Sequence, residues 1–331
     1  MPPQTGSTAL RHHAPEAADA LQRVVATAWS VSARHGSVDT VAAAGRLVAA
    51  LHGTEPLLPP APAGTPGRAD PAPAGRRDPA GPTEAQRPVL AFAEQCTLDV
   101  SAVTPGLRAG FLEAAGPTAG DLAAALWVVD VVPRTRAALD ALVGHGPWPE
   151  PPPDAAGDDL WAALDGLIRT VPSLDALDPV TSELVRLRGA RQHRCRLCSS
   201  LRSRAALRAG ADDRAFAAVD DYRDSDLAPL ARAALAFTDA MLWTPGRIDP
   251  ATVAGLRAQA DAAQQVELVL DVTRNALNKI AVALGADAAH VEDGIEIYDV
   301  APDGSLVYGL EPDGAPPDGA SPASPPGPTP M

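Results

Sequence analysis

The chain has 331 residues, 27 of them Lys or Arg against 41 Asp or Glu, which leaves a formal charge of −14. An acidic chain is a poor default partner for nucleic acid, three cysteines are too few for a secreted disulfide framework, and no run of 18 apolar residues predicts a membrane partner. With 46% apolar but only 4% aromatic residues, the expected fold class is all-α, a core of close-packed helices rich in Ala, Leu and Val, in about two domains. The opening residues lack the basic and apolar regions of a signal peptide, so a cytoplasmic location is expected.

In chain order, the first half (8–146) is read as one helical domain interrupted by a Pro/Ala-rich insertion over 56–88, expected to be extended. Its landmarks are VSARHGSVDTVAAAG (Val31 to Gly45), LAFAEQ from Leu90, GLRA from Gly106, VVDVV from Val128 and ALVG ending at Gly144. Cys96 reads as a small apolar residue of a buried helix. A Pro cluster over 147–157 reads as a linker, and residues 158–310 as a second domain followed by a disordered tail, 311–331. Four motifs of the first half recur in order in the second: LAFTDA from Leu235, GLRA from Gly255, VLDVT from Val269 and VALG ending at Gly285. The chain therefore reads as a tandem duplication.

The second half is expected to hold helices over Asp158–Arg169, from Pro179, over Cys195–Ala209, Leu227–Leu242, Pro250–Ala260 and Ala263–Leu284. IEIYDVAPDGSLVYGL alternates around Asp303-Gly304 and reads as a hairpin. Of the 27 basic residues 26 are Arg, and Lys279 follows no glycine-rich loop, so a phosphate loop is excluded and Schiff-base chemistry would rest on that one side chain.

The chemistry concentrates between Glu183 and Arg208, where eight arginines face one acid, a local balance of +7. Cys195 and Cys198, spaced i,i+3, place both sulfurs on one helix face, and a cysteine in a first helical turn meets free amides that favour thiolate. Arg202, four residues after Cys198, is expected one turn along the same face, within reach of the thiolate. Glu183 is the candidate general base and His193 a second proton carrier, against the plainer readings of an Arg-paired carboxylate and a solvated histidine.

Glu183, eleven residues, CxxC and then a helix resemble the AhpD-like, carboxymuconolactone decarboxylase family of α-helical proteins, over most of 158–285. The resemblance implies a peroxidase in which Cys198 attacks a hydroperoxide substrate, Cys195 resolves the sulfenic acid as a disulfide and Glu183 relays a proton. It also implies a dithiol or protein reductant, a homo-oligomer, and neither cofactor nor metal. The family histidine of CxxCxxxH is Arg202 here, which cannot deprotonate a thiol. Ser37 and Thr40 stand at the cysteine positions of the first half and His35 opposite His193, so no redox group survives there.

Zinc would need four ligands and no second cysteine pair exists, and a thioredoxin-like motif would need βαβ flanks. A redox-responsive or scaffolding protein without turnover, and a decarboxylase-type enzyme, are the other functional readings. The basic cluster lacks the aromatic residues of a nucleic-acid platform.

Overall fold

The computed structural model describes residues 4–60 and 81–312; most of the expected extended insertion and tail lies outside them. Proline and short polar caps set most of the helix starts. Pro lacks the N–H that a first turn leaves unpaired anyway, and an Asp or Thr before it accepts an amide one turn on. The first half forms α1 (Gly6–His13), α2 (Pro15–Arg34), α3 (Val38–His52), α4 (Arg87–Asp99), α5 (Pro105–Ala115, capped by Thr104) and α6 (Ala119–Val143). The second forms α7 (Leu160–Thr170, capped by Asp159), α8 (Pro179–Gln192, capped by Asp178), and the short α9 (Arg196–Ser199), α10 (Arg204–Arg208) and α11 (Asp213–Ala217). It closes with α12 (Pro229–Trp243), α13 (Pro250–Arg257), α14 (Ala262–Asn275) and α15 (Asn278–Leu284).

The fold is mostly helical, as expected, and one hydrophobic core runs through both halves. Helix α6 lies at its centre, buried nearly all round from Leu122 to Thr135, and packs against α14 as well as α1, α2 and α3. Polar ties cross between the halves inside this core: the Thr135 and Thr273 hydroxyls meet at 2.7 Å, and the Trp127 indole donates to the Ala276 carbonyl at 2.8 Å. The Pro-rich segment between the halves lies against the first, with Ser7 donating to the Pro147 carbonyl and the Gly157 amide to Thr27 Oγ1.

The two halves turn the chain alike at one place. After α2, His35 (φ −90°, ψ 0°), Gly36 (φ +66°) and Ser37 lead into α3; after α8, His193 (φ −87°, ψ −5°), Arg194 (φ +50°) and Cys195 lead into α9. The amides of Ser37 and Cys195 both return to the carbonyl five residues back, Ser32 and Ala190. Arg194 is the one non-glycine residue of positive φ among those described.

Two expected helices are broken. The one expected over Cys195–Ala209 stops at Ser199 and resumes as α10, with strand β1 (Leu201–Ser203) between. Ser199 and Ser200 are weak helix formers, Ser200 Oγ bonds back to the Leu197 carbonyl, and the freed backbone joins a sheet. In that sheet β1 runs parallel to β2 (Glu296–Val300), which pairs antiparallel with β3 (Leu306–Leu310). The hairpin is the expected one, and Gly304 at its turn has φ +78°, with a Cβ there falling 2.2 Å from the Arg169 carbonyl oxygen. The helix expected over Ala263–Leu284 breaks at Ala276–Leu277, where the Ala276 carbonyl accepts both the Trp127 indole and the Lys279 amide.

Candidate functional site

The turn after α8 delivers Cys195 as the N-cap of α9, with its sulfur accepting the Cys198 amide at 3.2 Å. The two sulfurs lie at disulfide-bonding distance across Cα atoms 5.3 Å apart, a separation ordinary for a disulfide. They differ in access. Cys195 is 1% exposed, whereas Cys198 is half-buried and lines a cavity of about 160 Å³. The walls are mainly apolar, with Leu197, Leu201, Leu277 and Leu306 beside Tyr298 and Tyr308, and two cations, Arg186 and Arg274, open onto it.

Glu183 lies beneath this cavity, 2% exposed, and its carboxylate is fully engaged. Arg186 donates to both oxygens at 2.7 Å, the Tyr298 hydroxyl to Oε2 at 2.8 Å and the Ser203 amide to Oε1 at 3.1 Å. The bidentate fork is the strong form of this pairing. Burial opposes the Arg186 charge, but Glu183 outweighs it and holds the guanidinium above its ordinary pKa; burial and then Glu183 raise that of Tyr298. Arg186 also donates to the carbonyls of Cys198 (2.8 Å) and Leu201 (2.9 Å), so one side chain ties the carboxylate to the backbone of the thiol.

His193 is buried rather than solvated. Its Nδ1 lies 2.7 Å from Asn278 Oδ1, and Asn278 Nδ2 faces Cys198 Sγ at 3.6 Å. Burial, then the charge of Lys279, pushes the imidazole down to about 3, so at neutral pH His193 is uncharged and its Nδ1–H donates to the amide oxygen.

The Arg202 expectation is corrected. With the helix ending at Ser199, Arg202 falls in β1, where Nη1 donates to the carbonyls of Ser199 and Leu201 and the guanidinium lies over the Phe216 ring at 5.0 Å. Arg186 and Arg274 are the cations that line the thiol's cavity instead. Cys96 lies on helix α4 as expected but is part-buried rather than buried, packed against the core, with burial raising its thiol to about 12. Lys279 is buried and ion-paired to Asp130, which Arg134 holds from the other side. No group of three or more His, Cys, Asp or Glu side chains that could hold a metal gathers among the described residues.

Asn278 and Tyr298 were not singled out from the sequence. Asn278 stands next to Lys279 in NALNKI, where a polar Asn inside a long apolar helix was the available signal. Tyr298 is the buried residue at the centre of β2, on the inward side of the strand's alternation.

Two proteins of Mycobacterium tuberculosis match this chain: Uncharacterized protein MT2376 of strain CDC 1551 / Oshkosh and Uncharacterized protein Rv2313c of strain ATCC 25618 / H37Rv. Each is 41% identical over 236 residues, covering 68% of this chain and 81% of its own length. The chain belongs to their family. That extent of identity covers most of both proteins, and their names assign no activity. No protein-family model matches the chain, and no solved structure matches it.

Proposed function

We propose that the protein is a thiol-dependent peroxidase that reduces hydroperoxides through a cycle of the Cys195–Cys198 pair. The observation that carries this reading is the difference in access: Cys198 faces a small cavity with two cations in its wall, and Cys195 is buried directly behind it. The Cys198 thiolate attacks the peroxide, forming an S–O bond as O–O breaks, and the departing alkoxide takes a proton to become the alcohol. Cys195 then attacks the Cys198 sulfenic acid; S–S forms, hydroxide leaves and water is released with the Cys195 proton. Sulfur loses two electrons and the peroxide gains them. A dithiol reductant returns the pair to the thiol state by exchange. The nearby guanidinium groups favour the thiolate of Cys198, and the Asn278 amide faces it.

The resemblance of Glu183, CxxC and the following segments to the AhpD-like family supports the same reading. So does the shared order of α2, α4, α5 and α6 with α8, α12, α13 and α14–α15, which supports a duplication whose first copy has lost its thiols. One observation favours a second reading, a redox-responsive protein without turnover. Glu183 is saturated by Arg186, Tyr298 and Ser203, which leaves it poorly placed to take a thiol proton.

Hydroperoxide consumption in the presence of dithiothreitol separates the two. The peroxidase reading expects turnover by the wild type and loss to background in Cys198→Ser, with Cys195→Ser stalling as a sulfenic acid. Reversible disulfide formation with no turnover above Cys198→Ser would establish the redox-responsive reading instead.

A further inference from the structure

The amide that faces the reacting sulfur sits at a break in the backbone, and the first half holds that break. Asn278 is the first residue of α15 and follows the interruption at Ala276–Leu277. Trp127 of α6 donates its indole N–H to the Ala276 carbonyl at 2.8 Å, and the same oxygen accepts the Lys279 amide at 3.0 Å across the interruption. Lys279, adjacent to Asn278, is ion-paired in the interior with Asp130 of α6, whose other oxygen accepts from Arg134 Nε at 2.8 Å. At the far end of α15, Arg108 of α5 donates to the Ala283 carbonyl at 2.7 Å. Three side chains of the first half thus hold both ends of a helix of seven residues.

We infer that the first half acts on the thiol of the second by clamping α15, so that Trp127 and Asp130 are positioning residues for Asn278 and, through its amide, for the sulfur of Cys198. The inference rests on the reading of Cys198 as the reacting thiol. An N–H aimed at a sulfur stabilises thiolate over thiol, and the stabilisation falls steeply with misalignment. Asn278 has no freedom to choose its own geometry, because Oδ1 is held by His193 Nδ1 at 2.7 Å; its backbone position then decides where Nδ2 points. A buried ion pair is weak as a source of stability but strong as a fixed register, since a shifted helix would leave Lys279 or Asp130 unpaired in the interior.

The test is the pH dependence of Cys198 alkylation by iodoacetamide in the reduced full-length protein, followed residue by residue by mass spectrometry. Asn278→Ala is expected to raise the apparent thiol pKa by about half to one unit. Trp127→Phe, which removes the N–H and keeps a ring in place, and Lys279→Met are each expected to raise it in the same direction, and to add nothing further in the Asn278→Ala background. Lys279→Arg, which restores the charge to Asp130, is expected to return the pKa toward wild type. Shifts from Trp127→Phe and Lys279→Met that are as large without Asn278 as with it would overturn the inference, as would an unchanged pKa in Asn278→Ala. Should Lys279→Met fail to fold, Trp127→Phe alone decides the matter. Alkylation needs no peroxide, so a protein that lacks turnover yet shows this non-additivity refutes the peroxidase reading alone, and an active one that lacks it refutes only the clamp.

Discussion

At the scale of single residues, the site is governed by how completely each polar atom is engaged. Arg186 is the densest node, with two bonds to Glu183 and two to backbone carbonyls, one of them that of Cys198. Arg186→Lys keeps the charge but not the fork, and leaves at least one buried acceptor unpaired. It is expected to cost about 2–4 kcal/mol in urea unfolding and to slow Cys198 alkylation. Full retention of both properties would show that Arg186 is a bystander. Arg194 offers the opposite sign. It holds φ +50° where the matching turn of the first half has Gly36 at φ +66°, so Arg194→Gly is expected to stabilise the fold by up to about 1 kcal/mol. A lower urea midpoint in Arg194→Gly would contradict this account of the turn.

At the scale of elements, apolar periodicity made α7, α8, α12 and α13 legible to within a few residues, because each has a clear start: Asp159, then Pro179, Pro229 and Pro250. The hairpin was legible because Asp303-Gly304 interrupts a strict alternation. The breaks were not, since both depend on partners distant in sequence: β1 exists because β2, some ninety residues on, pairs with it, and α14 stops where Trp127 reaches Ala276. The same fact decides the site. Cys195, Cys198, Glu183 and His193 lie close together in sequence and could be put forward from it, whereas Arg202 was misplaced once β1 replaced the helix, and Asn278 is brought to the sulfur only by tertiary structure. The hairpin turn is itself testable. Gly304→Ala adds both a strained φ and a Cβ against the Arg169 backbone, and is expected to cost about 1–3 kcal/mol in unfolding experiments. A wild-type midpoint would show that the turn is free to move away from α7.

At the scale of the whole molecule, one core joins both halves, and two buried carboxylates on α14 titrate within it. Glu267 accepts the amides of Ala176 and Leu177 through one oxygen, and Asp271 lies one turn on. Burial, then Asp271, raises Glu267 to about 7, and burial raises Asp271 to about 6. The folded state therefore holds these protons more tightly than the unfolded chain does, so their contribution is favourable at low pH and is lost as pH rises from about 4 through 7. Glu267→Gln, which keeps an oxygen for the two amides, is expected to stabilise the protein at pH 8 by about 1 kcal/mol or more and to be near neutral at pH 4.5. Equal effects at both pH values would remove Glu267 from this account.

The central claim concerns electrons at one sulfur, and a single turnover examines it most directly. Reduced protein given one equivalent of cumene hydroperoxide and analysed by mass spectrometry is expected to lose two hydrogens as a Cys195–Cys198 disulfide, with Cys96 still open to alkylation after unfolding and one equivalent of the alcohol released. Oxidation no faster than in Cys198→Ser, or spread onto Cys96 while the pair stays reduced, would contradict it.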